Sequence, residues 1–312
     1  MRFPFQLCRD KEFDVVGFGT NAVDYLITVP EYPAFNSKIE FDRYAEAAGG
    51  EIASTMAGLQ RLGMKTAYAG RFGSDRAGEI GLASLDDEGV DISFAETVEG
   101  ARTQIAFIMI DAASGERTIL WQRDKKLGYD EIDAPLDLAA RCKILHMTPH
   151  DTRACIRMAN EAKSSGAVIS VDIDNVFDGI EDLLPLVDIC IASAEFSQKL
   201  FGTTDVVQGL RELNSRFGCL VTGATLGRKG SLVLCDGQLK ETSAFDVPGG
   251  CIDTTGAGDA FRTGLLYGML TGEPVEESCR MANAVAALKC RGLGARSTLP
   301  TKNELKTLLK KV

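Results

Sequence analysis

Several residue types that common functions depend on are scarce in this sequence. It has two histidines among 312 residues, so only His146 and His150 could assist a zinc site. Its nine cysteines are an odd number, scattered from Cys8 to Cys290 without a CxxC pair. That argues against a disulfide framework and points to reduced thiols. Most lie in apolar runs such as "VDICIA" (187–192) and "GCLVTG" (218–223), where a thiol serves as a small core residue. Basic runs are missing too. Lys and Arg number 34 against 44 Asp and Glu, for a net charge of −10, which excludes the usual nucleic-acid and membrane-surface binders. No apolar stretch approaches the ~18 residues of a spanning helix. The opening "MRFPFQLCRDKEF" has too short an apolar segment for a signal peptide. No G-x-x-x-x-G-K-[ST] occurs, so a P-loop is out. The expected setting is cytoplasmic.

What is present is an alternation of strands and helices. The chain is 45% hydrophobic, enough for one large α/β domain over 1–312. "FDVVGFG" (13–19) reads as a buried strand, "ASTMAGLQRLG" (53–63) as a helix closed by Gly63, and "KTAYAG" as the next strand. A helix over 77–89 follows. From 143 the pattern resumes with strand "KILHM", a helix over 151–165 capped by Asp151, strand "AVISVDI", a helix near 179–184 and strand "VDICIA". Helices over 195–201 and 205–216 precede strand "GCLVTG". Such alternation predicts a mostly parallel sheet covered by helices on both faces, a three-layer sandwich. Segments 23–44 and 101–123 break the rule. "VDYLITV" alternates like an exposed strand, and "TQIAFIMID" and "RTILWQ" flank the hairpin signal "AASGE". These predict a small β-sheet lid over the strand C-termini, whose apolar face "AFIMI" suits pairing of two subunits. Near the end, "DAFRTGLLYGML" puts Phe261, Leu265, Leu266, Met269 and Leu270 on one helix face, and Thr301–Glu304 forms a capping box.

The stretch "DTTGAGDAF" (253–261) carries the chemistry. Gly256, Ala257 and Gly258 have little or no side chain, so their amides at a helix start can approach a phosphoryl group. Asp259 sits at the mouth of that anion hole. A carboxylate there suits the other reactant, accepting the proton of an attacking hydroxyl. Phosphoryl transfer to an alcohol fits the stretch.

"DTTGAGDAF" resembles the C-terminal signature of the PfkB/ribokinase family of carbohydrate kinases, and the similarity runs through almost the whole chain. "AAGGEIASTMAGLQRLG" (47–63) resembles the family's GG motif, "AGRFGSDRAGE" (69–79) its second glycine segment and "GERTI" its lid hairpin. "TLGRKGSLV" (225–233) resembles its nucleotide-side turn and "AVAALKCRGLGARSTLP" (284–300) its closing loop. The resemblance implies a ribokinase-like fold, ATP and Mg2+ as cofactors, and a sugar as acceptor. It implies Asp259 as catalytic base and Gly256, Ala257 and Gly258 as anion hole. Asp24, Gly49, Gly50 and Ser54 would bind the sugar, and Thr225, Gly227, Gly230 and Asn283 the nucleotide. Asp253 would shape the Mg-nucleotide or cation surroundings. A monovalent cation, K+, would be held by Asp253, Thr255, Gly294 and Thr298. Two departures resemble the ketohexokinase-like branch. Ser54 stands where the GG motif has an asparagine, and "SAEF" (193–196) replaces N-x-x-E, with Glu195 one residue out of register.

Three rival readings meet the same residues. A nucleoside kinase of the same fold reads the same base and a ribose diol. "DVVGFGTNA" gives the dinucleotide pattern G-x-G-x-x-A, with Glu40 about the right distance on, but prolines and an alternating segment follow it where a helix must open. A catalytically dead sugar sensor has no reason to keep Asp259. Among smaller features, His146 and His150 read as a pocket rim, a cap or core. Trp121 reads as lid or dimer surface, and Arg123 with Lys125 and Lys126 as a solvated turn.

Overall fold

In the computed structural model, which describes residues 1–310, the strands β1 (Phe13–Phe18), β2 (Ala22–Val29) and β3 (Arg43–Gly49) lead into helix α1 (Glu51–Arg61). Then come β4 (Thr66–Ala69), β5 (Arg71–Gly73), α2 (Arg76–Asp87), β6 (Glu96–Val98), β7 (Ile105–Asp111) and β8 (Arg117–Gln122). The second half runs α3 (Leu136–Ala139), β9 (Cys142–Met147), α4 (Thr152–Ser164), β10 (Val168–Ile173), α5 (Ile180–Leu183), β11 (Ile189–Ser193), α6 (Phe196–Phe201), α7 (Val206–Phe217) and β12 (Val221–Thr225). It closes with β13 (Ser231–Cys235), β14 (Gln238–Thr242), α8 (Ala257–Leu270), α9 (Val275–Lys289) and α10 (Lys302–Leu309).

Eight strands form the main sheet in the order β14-β13-β12-β11-β10-β9-β1-β4. Pairing is parallel from β4 to β12 and antiparallel for β13 and β14. Neighbouring residues on one strand go to opposite cores, as the pleat requires. Ile144, Val168 and Ile189 pack in the core beneath α1, α8 and α9, while Leu145, Ile169 and Cys190 face that of α3, α4 and α5. This is the predicted sandwich. The expected Thr301–Glu304 box is present at the start of α10, and all nine cysteines are unpaired.

A separate sheet has the order β3-β2-β7-β8, with β2 and β7 parallel and the outer pairs antiparallel. β2, β7 and β8 fall in the two segments that broke the alternation, whereas β3 begins at the end of the first and runs five residues past it, into the glycine pair. Three expectations change here. β2 is a central strand rather than an exposed one, because β3 and β7 flank it. Helix α8 is buried from Ala260 to Met269 instead of along one stripe, because α1 and α9 pack on it. Asp151 does not cap α4. It binds Arg123 through both carboxylate oxygens, at 3.0 and 2.7 Å, which also takes Arg123 out of the solvated turn.

Candidate active site

The head of α8 lies near the carboxyl ends of the parallel strands, where open α/β sheets bind ligands. Gly256 is its N-cap at φ 75°, and a Cβ there would fall 2.8 Å from the Cα of Ala295. Only glycine fits that left-handed, crowded position. Ala257, Gly258 and Asp259 form the first turn, and the positive end of the helix faces the cleft. The Ala257 amide already donates to the Thr254 carbonyl at 3.1 Å, so of the expected anion-hole residues it is the one the turn itself uses. Asp259 is half-buried, and burial holds its carboxyl above the ordinary range while Arg262, Arg117, Lys289 and Arg296 pull it down.

Upstream, Asp253 locks the loop. Its carboxylate accepts from the amides of Thr255 and Gly294, each at 2.7 Å, and its carbonyl accepts from Lys289 Nζ at 2.8 Å. Lys289 is fully buried. Thr298 donates its hydroxyl to the Lys289 carbonyl, and the Thr255 hydroxyl is buried without a partner. The four residues expected to ligate a cation are therefore brought together around a lysine that sequence reasoning passed over. Its signal was a lone charge in the apolar run "AVAALKC".

On the acceptor side, Gly49 ends β3 and Gly50 (φ 88°) opens α1. A Cβ on Gly49 would sit 2.1 Å from Asp24 Oδ2, and one on Gly50 2.3 Å from the Cα of Asn21. Asp24, on β2, points inward between Ala47 and Ala106. Burial raises its carboxyl to about 7, against the pull of Arg296 and with a push from the Asp259 charge. Glu51 opens α1, accepts from the Thr20 hydroxyl at 2.7 Å, and is raised to about 7 by burial and then by Asp259.

Ser54 is completely buried. Its hydroxyl accepts from Arg296 Nε at 3.3 Å, and the same guanidinium reaches the Gly49 carbonyl and, at 3.1 Å, the Ser84 hydroxyl. The serine that stands in the asparagine's place thus seats an arginine from the closing loop. Nothing in "GLGARSTLP" announces that arginine, because its partners lie more than 200 residues away in the chain.

The expected nucleotide side is split. Gly227 is in open space and Thr225 is half-buried at the end of β12. Gly230 (φ 95°) instead lies against the Thr242 carbonyl, and Asn283 donates to Ser231 Oγ at 3.0 Å and to the Cys279 carbonyl at 3.1 Å. These two brace the turn from beneath. Glu195 is exposed.

The small sheet docks on the anion-hole loop. The Gly115 carbonyl in the β7–β8 turn accepts from both the amide (3.0 Å) and the hydroxyl (2.9 Å) of Thr254. Arg117 donates to the Thr254 hydroxyl at 3.2 Å, and Arg228 donates to the Ser114 carbonyl at 2.7 Å. Trp121 is paired with Ala106, on the inward side with Asp24, and stands edge-on to His150 at 5.8 Å. His150 packs on Phe177 at 4.7 Å, with Nε2 4.0 Å from Glu51. His146 is core: it bonds Ser170 Oγ, and burial lowers its pKa to about 3.

The chain is similar to known proteins over most of its length. Residues 13–302 match the pfkB family carbohydrate kinase family. The chain is 33% identical to an uncharacterised sugar kinase of Archaeoglobus fulgidus, over 78% of this chain and 98% of that one. It is 26% identical to a nucleoside kinase of Methanothermobacter thermautotrophicus, over 93% and 94%. Among solved structures, ribokinase of Arabidopsis thaliana, complexed with ribose and ATP, superposes with a TM-score of 0.81 at 24% identity, over 96% and 99%. With its signature loop, its glycine pair and nearly its full length matched, the chain belongs to the pfkB family of carbohydrate kinases.

Proposed function

We propose that this kinase transfers the γ-phosphoryl group of ATP to a hydroxyl of a ketohexose-like sugar, with Asp259 as general base. One observation carries the reading: the head of α8 sets the small residues Gly256, Ala257 and Gly258 and, one residue on, the Asp259 carboxylate at the positive end of the helix. The acceptor hydroxyl gives its proton to Asp259 as its oxygen attacks phosphorus. The bond to the β-phosphate oxygen breaks, and the hole amides, Arg117 and Lys289 stabilise the departing charge. Asp24 accepts sugar hydroxyls, and Gly49 lets the sugar approach the backbone. Thr225 and Gly227 lie along the nucleotide.

Mg2+ enters with ATP and neutralises its phosphates. That suits this site, since among the described residues no three His, Cys, Asp or Glu side chains converge to hold a metal alone. An Escherichia coli protein assigned as a ribokinase is solved with ATP and Mg2+. Asp253 is committed to its two amides, and Glu51, which accepts from the Thr20 hydroxyl, is a further carboxylate that feels the Asp259 charge. The small sheet acts as the lid, and two subunits pair through its outer face. Free cysteines fit a cytoplasmic setting.

A nucleoside acceptor is the second reading. It is favoured by Trp121, His150 and Phe177, which line up beside Glu51 as a surface on which a base could stack. ATP-dependent phosphorylation of a panel of sugars and nucleosides decides between them. Turnover with nucleosides alone would replace the sugar reading, and no turnover with any acceptor would remove both.

A further inference from the structure

The resemblance that brought a K+ site into view meets a different arrangement here. A monovalent cation beside the anion hole needs a cage of oxygens to replace its water. In this chain the Asp253 carbonyl already accepts from Lys289 Nζ at 2.8 Å, and the same ammonium lies 3.9 Å from Asp253 Oδ2. Both side chains have zero exposure. The two carboxylate oxygens are further committed to the amides of Thr255 and Gly294, and the Thr298 hydroxyl donates to the carbonyl of Lys289 itself. The residues present do not fit a free cation.

A buried lysine is costly unless its charge is paired and its hydrogens are placed. An ammonium also has nearly the charge and size of a potassium ion, with three donors to offer oxygens. We infer that Lys289 Nζ is a tethered substitute for the monovalent cation, holding the Asp253 and Gly294 loops together so that the anion hole stands ready without K+. The arrangement rests on the reading of 256–258 as the anion hole. It also explains why a charge is placed at the end of α9, whose preceding residues from Ala282 to Leu288 are almost all buried. The charged groups that interact with it include Asp253, Arg117, Asp259 and Asp24. Its positive charge therefore adds to the field at Asp259 and at an incoming phosphoryl group. A free ion would be lost and regained with the ionic content of the medium; the tethered one stays.

The test compares KCl with tetramethylammonium chloride at equal ionic strength, reading the thermal midpoint and calorimetric MgATP affinity. A cation that bound the native state would raise the midpoint by mass action, so the wild type is expected to differ by less than about 1 °C between the salts. Its MgATP affinity should agree within about twofold. Lys289→Ala, which opens the space the ammonium fills, should bind MgATP on the order of tenfold more weakly in tetramethylammonium and recover in KCl or NH4Cl. Lys289→Met, which keeps the stem, should lose affinity without recovering.

Stabilisation of the wild type by K+ would overturn the inference. So would wild-type affinity in both variants, or a loss in folded Lys289→Ala that neither cation repairs. If the variants do not fold, the wild-type comparison alone decides. None of these readouts needs turnover. A protein that binds MgATP equally in both salts yet phosphorylates no acceptor would keep this inference and lose the kinase reading.

Discussion

Asp259 and Asp24 are both carboxylates kept above their ordinary pKa by burial, yet the site asks different things of them. Asp259 must be ionised to take a proton, so turnover should fall as pH drops through its raised pKa. Asp259→Asn keeps the shape and removes the base. Turnover should drop on the order of 10²–10⁴-fold, with MgATP affinity, read by calorimetry, little changed. Asp24 carries a cost in stability. Its folded pKa of about 7 lies above the ordinary 3.8, so between those values the folded chain keeps a proton that the unfolded chain has released. The stabilisation from that proton is complete below 3.8 and is lost as pH rises through 7. Asp24→Asn should therefore raise the thermal midpoint relative to wild type at pH 8 far more than at pH 4, while raising the acceptor KM. A midpoint difference that does not grow with pH would refute the burial argument. Stability is surrendered here for a hydroxyl-binding carboxylate.

At the scale of elements, the head of α8 depends on one backbone conformation. Gly256→Ala places a Cβ at φ 75° against Ala295, which costs on the order of 1–2 kcal/mol for the left-handed conformation before any clash. A lower thermal midpoint together with a raised ATP KM is expected, because the amides move with the turn. This element was legible in the sequence, since "GAG" before an apolar run writes both the bend and the helix. So were the strands of the main sheet, whose apolar runs reflect burial on both faces. Asp151 was misread because an N-cap preference is a weak local force, and the charge of Arg123, 28 residues back, outbids it. The buried side of α8 was misread because Thr263, Gly264 and Gly268 look polar or neutral in sequence. Close contact with Gly58, Ala282 and Ser278 makes those small residues interface. Lys289 and Arg296 escaped for a related reason. Each finds its purpose in loops far away in the chain, and no spacing records that.

At the scale of the whole molecule, the small sheet has two unlike faces. Asp24, Leu26, Ile108 and Ile110 turn inward, while Tyr25 and Phe107, stacked at 5.2 Å, turn outward with Tyr44 and Leu120. An outward face of that kind should be covered by a second copy. Light scattering should give a dimer, and Phe107→Glu combined with Leu120→Glu should give a monomer; a monomeric wild type would count against the pairing alone. The hairpin seat has a consequence for timing. If the acceptor enters beneath this sheet, the bonds from Thr254 and Arg228 to the hairpin tip must break and re-form in every cycle. The latch that shields the reaction from water is then also the step that lets product go. Thr254→Val, which deletes the hydroxyl bonds to Gly115 and from Arg117, should raise kcat where release is limiting, lower kcat/KM, and weaken the dependence of kcat on solvent viscosity. A wild-type kcat that does not depend on viscosity would place the slow step in the chemistry instead. A loop read first as a cradle for phosphate would, in that event, be no part of the enzyme's clock.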